Sequence, residues 1–360
     1  VGSLRRPRTQ EGRQRRIKTL GVTGSAIANR GALDINPFFA RIMVSTRLLP
    51  ALTAACALLL SWANPAIVHA QNTAAAYVVA DNTTGFVLNG LNAQKKRQIG
   101  SLTKIATAMV VLDWIAARGI DVSQQATVPE SAQSLNGGNG VGFNAGDRCS
   151  VRDLLYAMMM QSDNQAAETL AAHVGRSLSD SPEPGPVPLF VSHMNALARK
   201  LGMKNTRFLN AHGLDTLERT LPYSTAEDLA KLCRYAMDRS GFLFYVSQKE
   251  RRISLLTGVG EVSGYLLRNT NELLGQNAID GVKTGTTVKA GPCVIISAAR
   301  PPESRQQGET HIITPRRLNV VVLGSADRFQ IAAQLLSDGW RLYDNWAAAG
   351  RPMRGWKAPQ

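Results

Sequence analysis

The stretch IGSLTKIATAMVVLDWIAARG, residues 99–119, constrains this chain more than any other. Between Leu102 and Ala117 apolar residues fall on almost every side of a helix and leave no continuous polar stripe, which is the pattern of a buried core helix. Ser101 is placed to cap its start and Gly119 to end it. The run is long enough for a central core helix and reads as too short to span a membrane. One residue breaks the pattern. Lys104 carries an ammonium into an apolar element, which is costly unless the charge is paired, neutralised or led out to water along its own stem.

The chain has 360 residues, 44% of them hydrophobic, enough for one large domain or two ordinary ones. A formal charge of +15 suggests nucleic acid until it is divided. Residues 1–70 carry +8 of it and the remainder only +7. No RNA-binding or finger motif interleaves those later charges, so they read as solubility and attraction to anionic polymers, with no nucleic-acid partner. From Met43 the sequence MVSTRLLPALTAACALLLSWANPAIVHAQ has a short basic start, an apolar run and a small-residue cleavage site at Val68-His69-Ala70. Residues 43–70 therefore read as a signal peptide, and residues 1–42 as a basic leader lying upstream of the start at Met43. Cys149, Cys233 and Cys293 follow, an odd number without C-x-x-C spacing. They allow at most one disulfide and no metal site.

The exported part reads as one domain over 71–346 with a tail over 347–360. AAAYVVADNTTGFVLNGL alternates like a hairpin about Asp81-Asn82-Thr83-Thr84-Gly85. Ser150 and Asp153 make a capping box for VRDLLYAMMM, and QAAETLAAHVG continues as a second helix. The four prolines of residues 182–188 mark a surface excursion before the helical FVSHMNALARKLGM, and a further helix is expected near 225–237. GVKTGTT, GPCVIISAAR and RRLNVVVLGSA then read as strands, and RFQIAAQLLSDGWRLYDNW as an amphipathic closing helix. Strands at both ends and helices between predict an α+β fold, in which terminal segments share one antiparallel sheet flanked by helices, with a helical lobe inserted.

Three short patterns supply company for Lys104: Ser101-Leu102-Thr103-Lys104, Ser162-Asp163-Asn164 and Lys283-Thr284-Gly285. S-x-x-K and S-x-N each arise about once by chance in such a chain, whereas K-T-G arises in about one chain in ten. A second S-x-N, Ser134-Leu135-Asn136, sits in glycine-rich loop sequence and lacks a following helix. The set and its order are those of penicillin-binding proteins and class A β-lactamases. With AYVVADNTTGFVL, LGMKNTRFLNAHGLD, LRNTNELL and VVVLGSADR around them, the chain resembles the D-alanyl-D-alanine carboxypeptidase family, the serine DD-peptidases among the low-molecular-mass penicillin-binding proteins. The resemblance covers about residues 75–346 and is nearest to members with the penicillin-binding domain alone, without a C-terminal membrane anchor. It implies a three-layer sandwich of the β-lactamase/DD-peptidase kind.

The spacing already explains the lysine. Residues i and i+3 share a helix face, so Lys104 Nζ can reach Ser101 Oγ. To act as a base it must titrate near 7 or 8 instead of about 10.4, about 4 kcal/mol of destabilised charge. Burial and repulsion from Lys283 are the expected sources. The resemblance implies further roles. Ser162 relays a proton to the leaving amine, Asn164 binds the substrate amide, and Lys283 and Thr284 hold the terminal carboxylate. Gly285 lets a substrate strand approach, and the N–H groups of Ser101 and Thr286 form an oxyanion hole. Asp163 reads as a solvated loop acid, and Arg268, Asn269 and His212 as structural.

The implied activity is a cofactor-free serine D-Ala-D-Ala carboxypeptidase. It acts on peptidoglycan stem peptides in the periplasm or at the cell surface, with β-lactams as covalent inhibitors. A DD-endopeptidase cutting cross-links is the near alternative. A β-lactamase would need an E-x-x-L-N after S-D-N, which is absent, and an inactive wall-binding module would not need three intact motifs.

Overall fold

The computed structural model describes residues 74–356, apart from 136–139, 179–182, 216–219, 240 and 308. The basic leader, the signal peptide and residues 357–360 lie outside the described residues, as does Asn136 of the second S-x-N pattern. The chain begins with the expected hairpin, β1 (Ala76–Asp81) and β2 (Val87–Leu91). A 3₁₀ turn (Gly100–Thr103) runs directly into helix α1 (Lys104–Arg118). Strand β3 (Gln125–Thr127), a second 3₁₀ turn (Glu130–Leu135) and strand β4 (Arg148–Ser150) lead to α2 (Val151–Met160) and α3 (Asn164–Arg176). Helices α4 (Pro186–Lys200), α5 (Ala226–Met237) and the short α6 (Phe242–Val246) complete the helical part. Strands β5 (Glu250–Leu256), β6 (Val262–Arg268), β7 (Ile279–Thr287), β8 (Gly291–Gln307) and β9 (Thr310–Leu323) precede α7 (Arg328–Ala348).

The main sheet has the order β2-β1-β9-β8-β7 and is antiparallel throughout. The first and last strands of the sequence are thus neighbours, with Val78 opposite Val321. Alternation in β9 serves both faces. Leu318, Val320 and Val322 pack with Leu336, Trp340, Tyr343 and Trp346 of α7, whereas Val321 and Leu323 join the core around Leu102, Ile105 and Met109. The result is an α+β sandwich with two cores on opposite faces of one sheet.

Helix α1 lies in the larger core, with Ile105, Ala106, Met109 and Val111 fully buried. By length and composition Gly100–Arg118 could cross a membrane, contrary to the expectation from its length, but 72% of that window is buried inside the protein. Burial, not length, marks it as a core helix. Gly119 ends it at φ 62°, as expected. Ser101 does not cap it: the residue lies inside the 3₁₀ turn, and Thr103 at the helix start makes no side-chain cap.

Ser150 does cap α2, accepting from the Asp153 N–H at 3.0 Å. Pro186 and Pro188, expected in a surface excursion, instead open α4, where a missing N–H costs no helix bond. A second sheet, β3-β4-β5-β6, was not anticipated. Cys149, Cys233 and Cys293 are all buried free thiols.

Candidate active site

The S-x-x-K pattern forms at the junction of the 3₁₀ turn and α1. In a 3₁₀ turn residues three apart eclipse, and Lys104 Nζ donates to Ser101 Oγ at 2.9 Å. It also donates to Asn164 Oδ1 at 2.7 Å and to the His212 carbonyl at 2.6 Å. Lys104 is 0% exposed, and the three hydrogen bonds it donates all go to neutral groups. Burial lowers its pKa from the usual lysine range to about 7, with the Asp163 carboxylate pulling it partly back up.

Ser162, Asp163 and Asn164 make the turn between α2 and α3, with Ser162 at φ 67°. Asp163 is not a solvated loop acid. It is 1% exposed and caps α3, accepting from the Ala166 N–H at 2.7 Å and from the Val141 N–H at 2.6 Å. Desolvation raises its pKa despite those bonds. The loop carrying His212 is held by Asn210 Oδ1, which accepts from the Gly213 N–H at 2.6 Å. Gly213 sits at φ 83°, and a Cβ there would lie 2.1 Å from the Gly100 carbonyl oxygen. Glycine is required for the loop to reach Lys104. His212 is buried and its pKa falls to about 3, through desolvation first and Lys104 second.

Strand β7 forms the opposite wall and brings Lys283, Thr284, Gly285 and Thr286 beside the 3₁₀ turn. A Cβ at Gly285 would sit 2.9 Å from the Ile99 carbonyl, 3.1 Å from the Leu102 nitrogen and 3.2 Å from the Ser101 nitrogen. The missing side chain therefore admits the serine-bearing turn. Lys283 is 1% exposed and donates to the Thr284 carbonyl at 3.0 Å. Its pKa is pushed well below the usual lysine value by burial first, then by Lys104 and Arg328. The like-charge effect expected to act on Lys104 thus falls on Lys283, and desolvation is what lowers Lys104.

Between these walls lies a cleft of about 490 Å³ lined by Ser101, Ser162, Asn164, Thr284, Gly285 and Thr286. Thr270, Glu272 and Arg328 also line it. Chemically it presents a serine hydroxyl beside an amine that is half deprotonated near neutrality, which is the arrangement of an activated nucleophile.

Residues 63–305 match the D-alanyl-D-alanine carboxypeptidase family. The chain belongs to that family. It is 32% identical over 281 residues to D-alanyl-D-alanine carboxypeptidase DacC of Escherichia coli, covering 75% of this chain and 62% of the relative. A D-alanyl-D-alanine endopeptidase of Pseudomonas aeruginosa is 33% identical over 221 residues, 61% of this chain and 65% of the relative. The crystal structure of the Streptomyces K15 DD-transpeptidase superposes with a TM-score of 0.63 at 29% identity, covering 74% of this chain and 97% of that one. The chain spans about 62% of the length of the curated carboxypeptidases it first matches.

The carboxypeptidase-family cleft contains groups that the three motifs do not announce. Arg328, at the start of α7, donates to the Gly285 carbonyl at 3.0 Å, Thr286 Oγ1 at 2.8 Å and the Cys293 carbonyl at 3.3 Å. Thr270 and Thr284 share a hydrogen bond of 2.6 Å. Their only sequence signal was position, in VVVLGSADR and LRNTNELL. Arg268 is an exposed partner of Glu250 at 3.2 Å. Asn269 lines the cleft while donating to the Val246 and Gln248 carbonyls.

Proposed function

We propose that this protein is a serine-type D-Ala-D-Ala carboxypeptidase acting on peptidoglycan stem peptides through an acyl-enzyme at Ser101. The observation that carries the reading is the 2.9 Å contact between Ser101 Oγ and a fully buried Lys104 whose pKa is about 7. Ser101 Oγ attacks the scissile carbonyl carbon while Lys104 Nζ takes its proton. The N–H groups of Ser101 and Thr286 receive the developing oxyanion. The C–N bond to the terminal D-Ala breaks, and the departing amine takes up a proton relayed from Lys104 through the Ser162 hydroxyl. Water then cleaves the ester by the reverse proton path and frees Ser101.

Asn164 accepts from Lys104 through Oδ1, which leaves its amide N–H₂ to donate to a substrate carbonyl. Thr284, Thr286 and Arg328 face the cleft and receive the terminal carboxylate. Lys283 lies behind them and acts through its hold on the Thr284 carbonyl and through its field. The reading of residues 43–70 as an export signal supports an enzyme of the periplasm or cell surface, with β-lactams as acylating inhibitors at Ser101.

Intact-protein mass spectrometry after incubation with benzylpenicillin tests this. A stable adduct on Ser101, absent from Ser101→Ala, is expected together with free D-alanine from pentapeptides. Absence of both overturns the reading. The likeness to the Pseudomonas endopeptidase favours a second reading, hydrolysis of D-Ala cross-links. Monomers released from cross-linked muropeptide dimers, without free D-alanine, would establish it.

A further inference from the structure

The turn that carries Ser101 is gripped from two sides. On one side lies the loop after Phe208, where Gly213 packs against the Gly100 carbonyl too closely for a Cβ and the His212 carbonyl accepts from Lys104 Nζ at 2.6 Å. That loop is moored to α1 as well, through the Ala211 carbonyl, which accepts from Thr107 Oγ1 at 2.6 Å. On the other side is the end of β7. A Cβ at Gly100 would lie 3.3 Å from the Thr286 nitrogen and 3.4 Å from Thr287 Cγ2. Asp215 joins the two flanks. Its Oδ1 accepts from Thr287 Oγ1 at 2.8 Å, and its Oδ2 accepts from the Lys289 N–H at 3.0 Å. Thr287 Oγ1 in turn accepts from the Ala290 N–H at 3.1 Å, which fixes the turn into β8. Leu214 and Thr286, the chain neighbours of Asp215 and Thr287, line the cleft, whereas the two tied residues are set back from it.

We infer that Asp215 is a positioning residue for acylation, which clamps β7 to the His212 loop around Gly100 and so sets the spacing of the Ser101 and Thr286 N–H groups. The inference rests on the proposed peptidase reading and adds to it a residue that acts through Thr287. The two N–H groups belong to different elements, one to the 3₁₀ turn and one to β7, so neither element fixes their spacing alone. β7 is also an edge strand of the main sheet, with a strand partner on one side only, and its other side depends on ties of this kind. Donors stabilise an oxyanion only when both lie about 3 Å from the place where it forms. A misplacement of about 1 Å can cost about 10²-fold in rate. A carboxylate suits the task, because it accepts from a hydroxyl and from a backbone N–H more strongly than a neutral group does.

The test follows acylation by benzylpenicillin in stopped flow and separates the limiting rate from the half-saturating concentration. Asp215→Ala is expected to lower the limiting rate by about 10–10²-fold. The half-saturating concentration should stay within about twofold of the wild-type value, because the displaced donors act on the transition state. Thr287→Val removes the hydroxyl at nearly constant shape and should also slow the limiting rate, while the double variant should be no slower than Asp215→Ala, since both changes break one contact. Thr287→Ser keeps the hydroxyl and should restore the rate. A merely structural aspartate would lower the melting midpoint and spare the rate of the folded protein. The inference is overturned if Asp215→Ala acylates within about twofold of wild type, if its loss lies in the half-saturating concentration alone, or if the two single losses multiply in the double variant. Should Asp215→Ala not fold, Thr287→Val against Thr287→Ser decides: a slower valine variant upholds the clamp and equal rates overturn it. Failure of the underlying reading is seen separately, as a folded wild-type protein that forms no penicillin adduct.

Discussion

A base at position 104 works only when it can lose its proton, so the side chain's titration should be visible in the chemistry. Acylation by benzylpenicillin is expected to rise about tenfold per pH unit in the acid range and to level off above a pH of about 7. Lys104→Arg keeps a positive charge that cannot be given up. It should slow acylation by about 10²–10⁴-fold in stopped-flow measurements while the protein remains folded. Asp163 is the carboxylate that holds Lys104 upward. Asp163→Asn can still cap α3, yet it removes that charge, so the acid limb should move to lower pH. An unmoved limb would mean that Asp163 serves only as a cap. The reach of Lys104 to Ser101 was legible because it is local, a matter of three residues along one turn. The burial of Asp163 was not, because it depends on Val141, twenty-two positions earlier, crossing over it.

Elements meet at the site through two missing side chains. Gly285→Ala would put a methyl 2.9 Å from the Ile99 carbonyl and force β7 away from the 3₁₀ turn. Such overpacking costs about 1–3 kcal/mol. The expected result is a lower denaturant midpoint together with a larger loss of acylation rate, since the Ser101 N–H shifts as well. Gly213→Ala, with a clash at 2.1 Å and φ 83°, should be more severe by both measures. The strands of the main sheet were legible where alternation or continuous apolar runs were long, as in β1, β8 and β9. The second sheet was not. β3 and β4 have three residues each, too few to show a period of two, and β6 leaves its apolar Val262 and Leu266 exposed, so its sequence marks no buried face.

Across the whole molecule the buried titrating groups should shape stability against pH. Lys104 and Lys283 hold their protons less firmly folded than unfolded. Between a pH of about 7 and the ordinary lysine range the unfolded chain therefore binds more protons, and stability rises with pH. Burial raises the three cysteine thiols, with Cys149 pushed up to about 12. Above their usual value of 9.0 only the unfolded chain loses those protons, which reverses the slope. Thermal melts should thus show the midpoint climbing from pH 7 to a maximum near pH 9. Lys104→Met should flatten the climb. The union of the two chain ends in one sheet was legible because strand patterns flanked a helical middle. The arrangement of the helices within that middle was not, because similar apolar stripes fit several packings.

That union fixes an order of events in time. β1 has β9 as its neighbour on one side, and Arg328, which braces the wall at Gly285 and Thr286, arrives only after β9. A ribosome that has released everything as far as β7 has delivered all three motifs but neither β8 nor β9, the strands that join β7 to β1 in the main sheet. Release of the chain as far as β7 is therefore expected to leave the three motifs unassembled, with the sheet closing only once β9 is free to lie beside β1.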